Sequence, residues 1–291
     1  MNSAVSNRQR VISTVDAHSA FSPSQFAICL KGIVWRESLR FLHQRERFIS
    51  ALVRPLVWLF IFAAGFRLVL GVSIIPPYQT YVLYAEYITP GLIAMIQLFN
   101  GMQSSLSMVY DREMGNMRTL LVSPFPRWYL LCSKLVAGTA VSLLQVYAFL
   151  LIARFWDIGP PPIGYLLVLP AMVLSGLMLG ALGMLISSVI KQLENFAGVM
   201  NFVIFPMFFA SSALYPLWQV RESSPVLYYV CKFNPFTHAV ELIRFALYAQ
   251  VNWISLAVIF GCTALFMLGA IVAYDPSRGF LARRGEAAGA A

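Results

Sequence analysis

The feature that most constrains the fold is a series of apolar runs, each long enough to cross a lipid bilayer. A membrane-spanning helix needs about 20 mainly apolar residues. We predict six such spans, at residues 51–70, 87–109, 128–155, 164–189, 196–213 and 253–274. Of the 291 residues, 59% are hydrophobic and 11% are charged, whereas soluble proteins carry about 25% charged residues. The sequence therefore predicts an all-α membrane protein with a six-span transmembrane domain at residues 50–275.

A charged segment, residues 110–127, separates the second span from the third. Its apolar side chains recur at helical spacing, at Met114, Met117, Leu120 and Leu121. Its charged side chains lie on the other side, at Arg112, Glu113 and Arg118. Pro124 and Pro126 then end the helix, because proline lacks a backbone N–H and restricts the residue before it. This pattern predicts a short amphipathic helix at 110–124 that contacts a partner rather than crossing the membrane.

The distribution of basic residues predicts the orientation of the chain. Fourteen of the 21 Lys and Arg residues lie in the terminal segments and the loops on the side of the charged segment, and two more, Arg54 and Lys134, lie near the ends of spans on that side. The other five are Arg67, Arg154, Arg221, Lys232 and Arg244. Cytoplasmic segments carry the Lys and Arg excess in membrane proteins, so both termini and the charged segment are expected in the cytoplasm. The net charge of +9 follows from this orientation and does not indicate nucleic-acid binding.

Polar residues on the second and fifth spans are candidates for a translocation path. Gln97, Asn100, Ser104 and Ser107 recur at steps of three and four, so they share one face of the second span. Asn201 lies in the fifth span. Polar side chains within a membrane face protein or water rather than lipid. Two interpretations stay open at this point, namely a translocation path and hydrogen bonds between packed helices.

The segments outside the spans have distinct patterns. Residues 1–23 are predicted to be a flexible cytoplasmic tail, 24–49 an amphipathic helix on anionic lipid, and 276–291 a second cytoplasmic tail. Residues 215–247 are too apolar for a free loop, and we expect short helices at or dipping into the outer interface. Asn234 and Pro235 predict a helix start there, with Glu241 and Arg244 away from its apolar face.

Chemistry that would define an enzyme is missing from the sequence. No GxxxxGK[ST] phosphate-binding loop or GxSxG nucleophile motif occurs. His18, His43 and His238 are far apart and have no metal-ligand spacing. Paired carboxylates within the spans, which proton-driven carriers often use, are also missing. We therefore expect a transport protein without catalytic residues, metal or cofactor of its own, whose energy comes from elsewhere.

The sequence resembles the permease subunits of the type-2 ABC transporter (ABC-2) family over residues 25–275. One part of the resemblance is Arg112-Glu113-Met114-Gly115, followed by Leu120-Leu121-Val122-Ser123-Pro124 and Arg127. The second is Asn234-Pro235-Phe236-Thr237-His238-Ala239-Val240-Glu241, with Arg244 after it. Within the family, the sequence is similar to the branch of nodulation and drug exporters.

The resemblance implies an ATP-driven exporter of a bacterial inner membrane. ATP and Mg would bind to separate ATPase subunits, and a second permease copy would complete the membrane part, most simply as a homodimer. The 110–124 segment would be the coupling helix seated on the ATPase, with contacts from Arg112, Glu113, Met114, Met117, Arg118, Leu120 and Leu121. Residues 24–49 would be a connecting helix. Two short re-entrant helices within 215–247 would form an outer gate with Asn234, Pro235, Glu241 and Arg244.

The substrate is not defined by any motif. The polar face at residues 97–107 suits a lipidic, glycolipid or amphipathic drug-like substrate. One alternative is a passive channel or membrane scaffold, in which the charged segment is an ordinary inner loop. Another is a membrane-embedded glycosyl or lipid transferase, against which the lack of clustered carboxylates and histidines counts.

Overall fold

A computed structural model describes residues 22–43, 45–65, 76–78, 82–113, 125–155, 160–190 and 192–273. The regular elements of these ranges are ten α-helices. They are α1 (Pro23–His43), α2 (Arg45–Gly65), α3 (Tyr84–Glu113), α4 (Arg127–Arg154), α5 (Gly164–Val189), α6 (Leu193–Phe209), α7 (Leu217–Ser223), α8 (Pro225–Phe233), α9 (Pro235–Leu247) and α10 (Trp253–Ala273). The predicted all-α class is therefore confirmed for the described part of the chain.

Four of these helices are long and apolar enough to cross a membrane. They are α3, α4, α5 and α10, and they coincide with the predicted second, third, fourth and sixth spans. The bounds of α5 are those predicted, whereas α3 begins three residues earlier, at Tyr84. Long apolar stretches are the strongest signal of a span in a sequence, and this is why these four agree closely.

The predicted first and fifth spans coincide with shorter apolar helices. The apolar part of α2 is Leu52–Phe62, and α6 has 17 residues. The total of six spans therefore stays a prediction. An interior proline, Pro206, does not interrupt α6, which continues to Phe209. Pro206 lies in the last turn of α6, where its missing N–H removes one hydrogen bond without ending the helix.

Part of the predicted architecture lies outside the described residues. This applies to the coupling residues Met114, Met117, Arg118, Leu120 and Leu121, to positions 1–21 and to the tail at 276–291. The other two predicted coupling residues, Arg112 and Glu113, are the last two residues of α3. The charged segment therefore begins within the final turn of this helix.

The core of the bundle is built on a close crossing of α3 and α5. A Cβ atom added at Gly101 on α3 would lie 2.9 Å from the Cα atom of Gly180 on α5. A Cβ atom added at Gly183 would lie 2.8 Å from the carbonyl oxygen of Gly101. Small residues allow two helix backbones to approach this closely. The glycines Gly180 and Gly183 of α5 thus form a packing face against α3.

The outer segment folds back onto the bundle as three short helices, α7, α8 and α9. The resemblance implied two helices. The structure has three, because separate helix starts at Ser224 and Asn234 divide the segment after α7. Ser224 precedes Pro225 at the start of α8, and Asn234 precedes Pro235 at the start of α9. Most of α9 is buried, and it packs against α3, α5 and α10.

The amphipathic helix α1 is attached near the beginning of α4. The Tyr129 hydroxyl donates a hydrogen bond to the carbonyl oxygen of Phe26. The Phe26 ring also makes edge contacts with Phe125 and Tyr129, with ring centroids 5.4 and 4.8 Å apart. The opposite side of α1 leaves Ile28 and Trp35 exposed. An attached helix with exposed apolar side chains fits a position at the membrane surface, which stays a prediction.

Candidate functional site

The polar face of α3 is held by neighbouring helices. Gln97 is 1% exposed, and its Nε2 donates to the carbonyl oxygen of Met172 on α5 at 2.7 Å. Asn100 is also buried, and its Nδ2 donates to the carbonyl oxygen of Gly138 on α4 at 3.0 Å. Side-chain amides commonly bond across packed membrane helices. Both amides therefore contribute to helix packing.

The two serines of this face are closer to the charged end of α3. The Ser107 hydroxyl donates to the carbonyl oxygen of Ser104 at 2.9 Å, and Lys134 on α4 donates to Ser107 at 3.4 Å. Ser107 is exposed, whereas Ser104 is half-buried beside Gly138. The face thus changes from buried amides to accessible hydroxyls along the helix. Whether substrate passes along it stays a prediction.

A cavity of about 100 Å³ opens beside this face, and we call it the inner cavity. Its polar lining residues are Arg54, Asn100, Gln103 and Gln145. They come from α2, α3 and α4, which brings together side chains that are distant in the sequence. The sequence analysis did not assign Arg54 or Gln145 to a site. An arginine inside a predicted span was the signal that could have identified Arg54.

Asn201 occupies a different position from the polar residues of α3. It is exposed on α6, and its neighbour Met200 lines the inner cavity instead. The aromatic residues Phe202, Phe205 and Phe209 on the same helix are also exposed. Asn201 therefore does not join the polar residues of α3 at the inner cavity.

The predicted outer gate begins at Asn234, which joins α9 to the end of α6. Its Oδ1 accepts a hydrogen bond from the Phe236 N–H at 3.0 Å, which confirms the predicted helix cap. Its Nδ2 donates to the carbonyl oxygens of Met207 and Ala210, at 2.8 and 2.7 Å. Pro235 fills the first position of α9, where no N–H is needed. One side chain therefore caps one helix and fixes it to another.

Arg244 is the centre of a second network in the outer segment. It forms an ion pair with Glu241, and its Nη2 donates to the carbonyl oxygen of Ser212 at 2.7 Å. Its guanidinium also lies over the ring of Tyr87 at the start of α3. Arg244 is 3% exposed, although the sequence placed it away from the apolar face of α9. The difference arises because α3, α5 and α10 surround this helix.

The environment keeps this network in one protonation state. Burial alone would lower the pKa of Arg244, but the Glu241 carboxylate and the nearby tyrosines raise it above its usual value. Burial raises the pKa of Tyr78 to about 12, against a lowering effect of the Arg244 charge. Arg244 therefore stays protonated and Tyr78 stays neutral across the physiological pH range. The network therefore contributes fixed charges that hold α9 against its neighbours, and it does not transfer protons.

Comparison with known proteins identifies several relatives. Over 213 residues the chain is 29% identical to ycf38 of Cyanophora paradoxa, which is named as a transport permease, and the match covers 71% of this chain and 69% of that protein. It is 34% identical over 165 residues to YbhR of Escherichia coli K12, named as a multidrug ABC transporter permease, with 55% and 43% covered. It is 24% identical over 204 residues to nodulation protein J of Rhizobium leguminosarum bv. viciae, with 67% and 73% covered.

A family model gives the broader assignment. The model described as "ABC-2 type transporter" matches residues 29–248, which include α3 to α9 and the charged segment. The match extends over most of the chain. The relatives ycf38 and YbhR are named as a transport permease and a transporter permease. The resemblance seen in the charged segment and around Asn234 is thus confirmed at the level of the family. The chain belongs to the ABC-2 type transporter family.

Proposed function

We propose that this chain is the membrane-spanning permease subunit of an ATP-driven exporter and that it couples to a separate ATPase chain. The observation that carries the proposal is the continuity of α3. This single helix of 30 residues contains Tyr87 of the outer network, the polar residues 97–107, and Arg112 and Glu113 of the charged segment. At 1.5 Å per residue it is about 45 Å long, so it links the outer segment with the charged segment.

The charged segment is the proposed contact with the ATPase. Met114, Met117, Leu120 and Leu121 would provide apolar contact area, and Arg112, Glu113 and Arg118 would fix the orientation through charge pairs. ATP and Mg would be bound by the partner, because this sequence has no phosphate-binding loop. Closure of the ATPase around ATP would displace the charged segment, and α3 would transmit that displacement to the polar residues beside the inner cavity.

Reconstitution with the ATPase tests the coupling. We expect the double variant Glu113→Ala/Arg118→Ala to lose substrate-dependent ATP hydrolysis and transport while the membrane part stays folded. Arg221→Ala is the matched control, because Arg221 is an exposed arginine of α7 in the outer segment. Hydrolysis that stays fully substrate-coupled in the double variant would reject the coupling role. Purification without any stoichiometric ATPase would instead favour a passive channel or scaffold.

The proposed topology has six spans and both termini in the cytoplasm of a bacterial cell, within the inner membrane. The basic residues support this orientation, and α2 and α6 would be the first and fifth spans. Labelling of introduced cysteines tests it in intact cells. A cysteine at Ser3 should react only after the membrane is made permeable, and one at Ser223 at the end of α7 should react in intact cells. The reverse pattern would reject the proposed orientation.

A second copy of the permease is the proposed occupant of the exposed face of α6. The carrying observation is the exposure of Asn201 among Phe202, Phe205 and Phe209. Burying aromatic rings stabilises an interface, and an amide would find a hydrogen-bond partner there. Cross-linking of Asn201→Cys in membranes tests this arrangement, with Phe260→Cys on α10 as the matched exposed control. Equal cross-linking of the two would reject the proposed interface.

The proposed substrate class is lipidic, glycolipid or amphipathic and drug-like. The inner cavity combines polar residues such as Gln103 with apolar ones such as Phe99, and mixed linings suit molecules with a polar and an apolar part. The name of the relative YbhR, a multidrug ABC transporter permease, supports the drug-like part of this range. Export assays in vesicles containing both subunits, with candidates from each class, test the assignment. A strictly inorganic or fully hydrophilic substrate would contradict it.

A further inference from the structure

We propose that the inner cavity binds the acidic group of an amphipathic molecule, with Arg54 as the charged partner and Gln145 as a hydrogen-bonding partner. The chemical group would be a phosphate or carboxylate carried on an apolar chain. Identification of that molecule as exported cargo rests on the proposed function. The binding site itself does not, because it is formed by this chain alone.

Arg54 supplies the positive charge of the proposed site. Its guanidinium carbon lies 4.1 Å from the centroid of the Phe99 ring, so the ring holds the side chain in place. Among the residues that the structure describes, no carboxylate forms an ion pair with Arg54. Stacking on a ring uses the flat face of the guanidinium and leaves the N–H groups in its plane available to an oxyanion.

Gln145 presents its side-chain amide to the inner cavity. It is 2% exposed and lines the cavity, yet it makes no hydrogen bond to any residue in the described ranges. Nearly all buried polar groups in proteins have a hydrogen-bond partner. Its amide N–H groups are suited to an oxyanion that Arg54 also contacts. Asn100 uses one amide N–H in its bond to Gly138, whereas neither amide N–H of Gln145 is used by another described residue.

The rest of the lining is apolar. It includes Met95, Ile96, Phe99 and Met200, and such residues offer nothing to a hydrated inorganic ion. The two methionines are flexible and adapt to chains of different shape. A volume of about 100 Å³ also exceeds what a single water molecule requires. The lining therefore favours a molecule with an acidic group and an apolar part.

A simpler explanation for Arg54 is snorkelling toward lipid headgroups near the inner end of its span. That explanation accounts for the exposed arginine. It does not account for the amide of Gln145, which faces the same cavity without a hydrogen bond to a described residue. A neighbouring cavity does contain an acidic residue, Glu37. Its carboxylate is bound by Arg36 at 2.9 Å, so it does not cancel the charge of Arg54.

Native mass spectrometry of the purified full chain in dodecyl maltoside tests the proposal. The probe is dodecyl phosphate, and the detergent itself supplies an excess of an uncharged dodecyl chain. Arg54→Gln should weaken binding of the probe by about tenfold or more, as expected for loss of a charge-assisted hydrogen bond. Arg54 is exposed, so this variant should keep its melting temperature. Arg221→Gln is the matched control, because Arg221 also lies over an aromatic ring, that of Tyr228. This variant should bind the probe as the unchanged protein does.

Further arms identify the occupant. Gln145→Glu, which keeps the shape of the side chain and adds a negative charge, should also weaken binding. Competition by phosphatidylglycerol but not phosphatidylcholine would assign the site to a membrane lipid, and lack of such competition would assign it to a separate amphiphile. The proposal is overturned if Arg54→Gln and Arg221→Gln bind the probe equally, or if inorganic phosphate displaces it at similar concentration. These readouts need no ATPase, so they are independent of the coupling experiment.

Discussion

The guanidinium carbon of Arg244 lies 4.2 Å from the centroid of the Tyr87 ring, so the outer segment stacks directly on the first turn of α3. Arg244 also contacts Glu241 within α9 and the carbonyl oxygen of Ser212 after α6. Three parts of the chain therefore meet at one buried cation. Because α3 continues unbroken to Glu113, displacement of its inner end would also change this contact.

Replacing Arg244 should destabilise the outer segment strongly. The variant Arg244→Met keeps the length of the side chain but leaves the Glu241 carboxylate without its partner. Removing one member of a buried ion pair destabilises a protein by about 3–5 kcal/mol. We expect a markedly lower melting temperature in detergent, measured by intrinsic fluorescence, and increased protease cleavage between α7 and α9.

Two further variants check the origin of that effect. Arg221→Met removes an exposed arginine of the same segment and should change the melting temperature very little. Arg244→Met combined with Glu241→Gln should recover part of the lost stability, because no unpaired charge then remains. Equal melting of Arg244→Met and Arg221→Met would show that the buried network contributes no more than a surface residue.

Asn234 should contribute to stability through both ends of its amide. Asn234→Ser retains a hydroxyl that can cap α9 but removes the donors to the carbonyl oxygens of Met207 and Ala210. We expect Asn234→Ser to be destabilised by about 1–3 kcal/mol because two partly buried acceptors lose their partner. Asn234→Ala, which also loses the cap, should be destabilised further. Ser224→Ala, at the more exposed cap of α8, is the control, and an equal effect there would reject the role of Nδ2.

The crossing of α3 and α5 should not tolerate an added methyl group. A Cβ atom at Gly101 would lie 2.9 Å from the Cα atom of Gly180, and a backbone cannot move aside as a side chain can. We expect Gly101→Ala to destabilise the bundle by about 1–3 kcal/mol, as overpacking usually does. Gly261→Ala on α10 is the matched control, because nothing lies within 4 Å of its added Cβ atom. Similar unfolding of the two variants in a denaturing detergent would contradict the close crossing.

The sequence predicted most accurately the features that depend on local pattern. Apolar length located α3, α4, α5 and α10, and the Asn234-Pro235 pair located the start of α9. It was less successful where tertiary packing decides. The burial of Arg244 depends on α3, α5 and α10 around it, and nothing within α9 itself indicates that they enclose its polar side.

For the candidate sites, too, the sequence predicted local placement but not the contacts between helices. Spacing correctly placed Gln97 and Asn100 on one face of α3, but it could not decide between packing and a path. The structure shows that both amides bond to neighbouring helices. The inner cavity could not be predicted, because Arg54, Asn100 and Gln145 come from three separate helices. Contacts between distant segments depend on helix packing, which the sequence pattern of one helix does not specify.

Acidification should loosen the contact between α9 and α10 through His238. Its Nε2 lies 3.0 Å from the Lys232 carbonyl oxygen and its Nδ1 3.3 Å from the Ser255 hydroxyl. Burial lowers the pKa of His238 below its usual 6.5, the Lys232 charge adds to this, and the Lys232 carbonyl and Glu241 oppose it. The unfolded chain therefore binds this proton more readily, so stability is lost as the pH falls below about 6.5. Melting temperatures between pH 8 and 5 should show this loss, and His238→Gln should reduce it; an unchanged pH dependence in that variant would contradict the assignment.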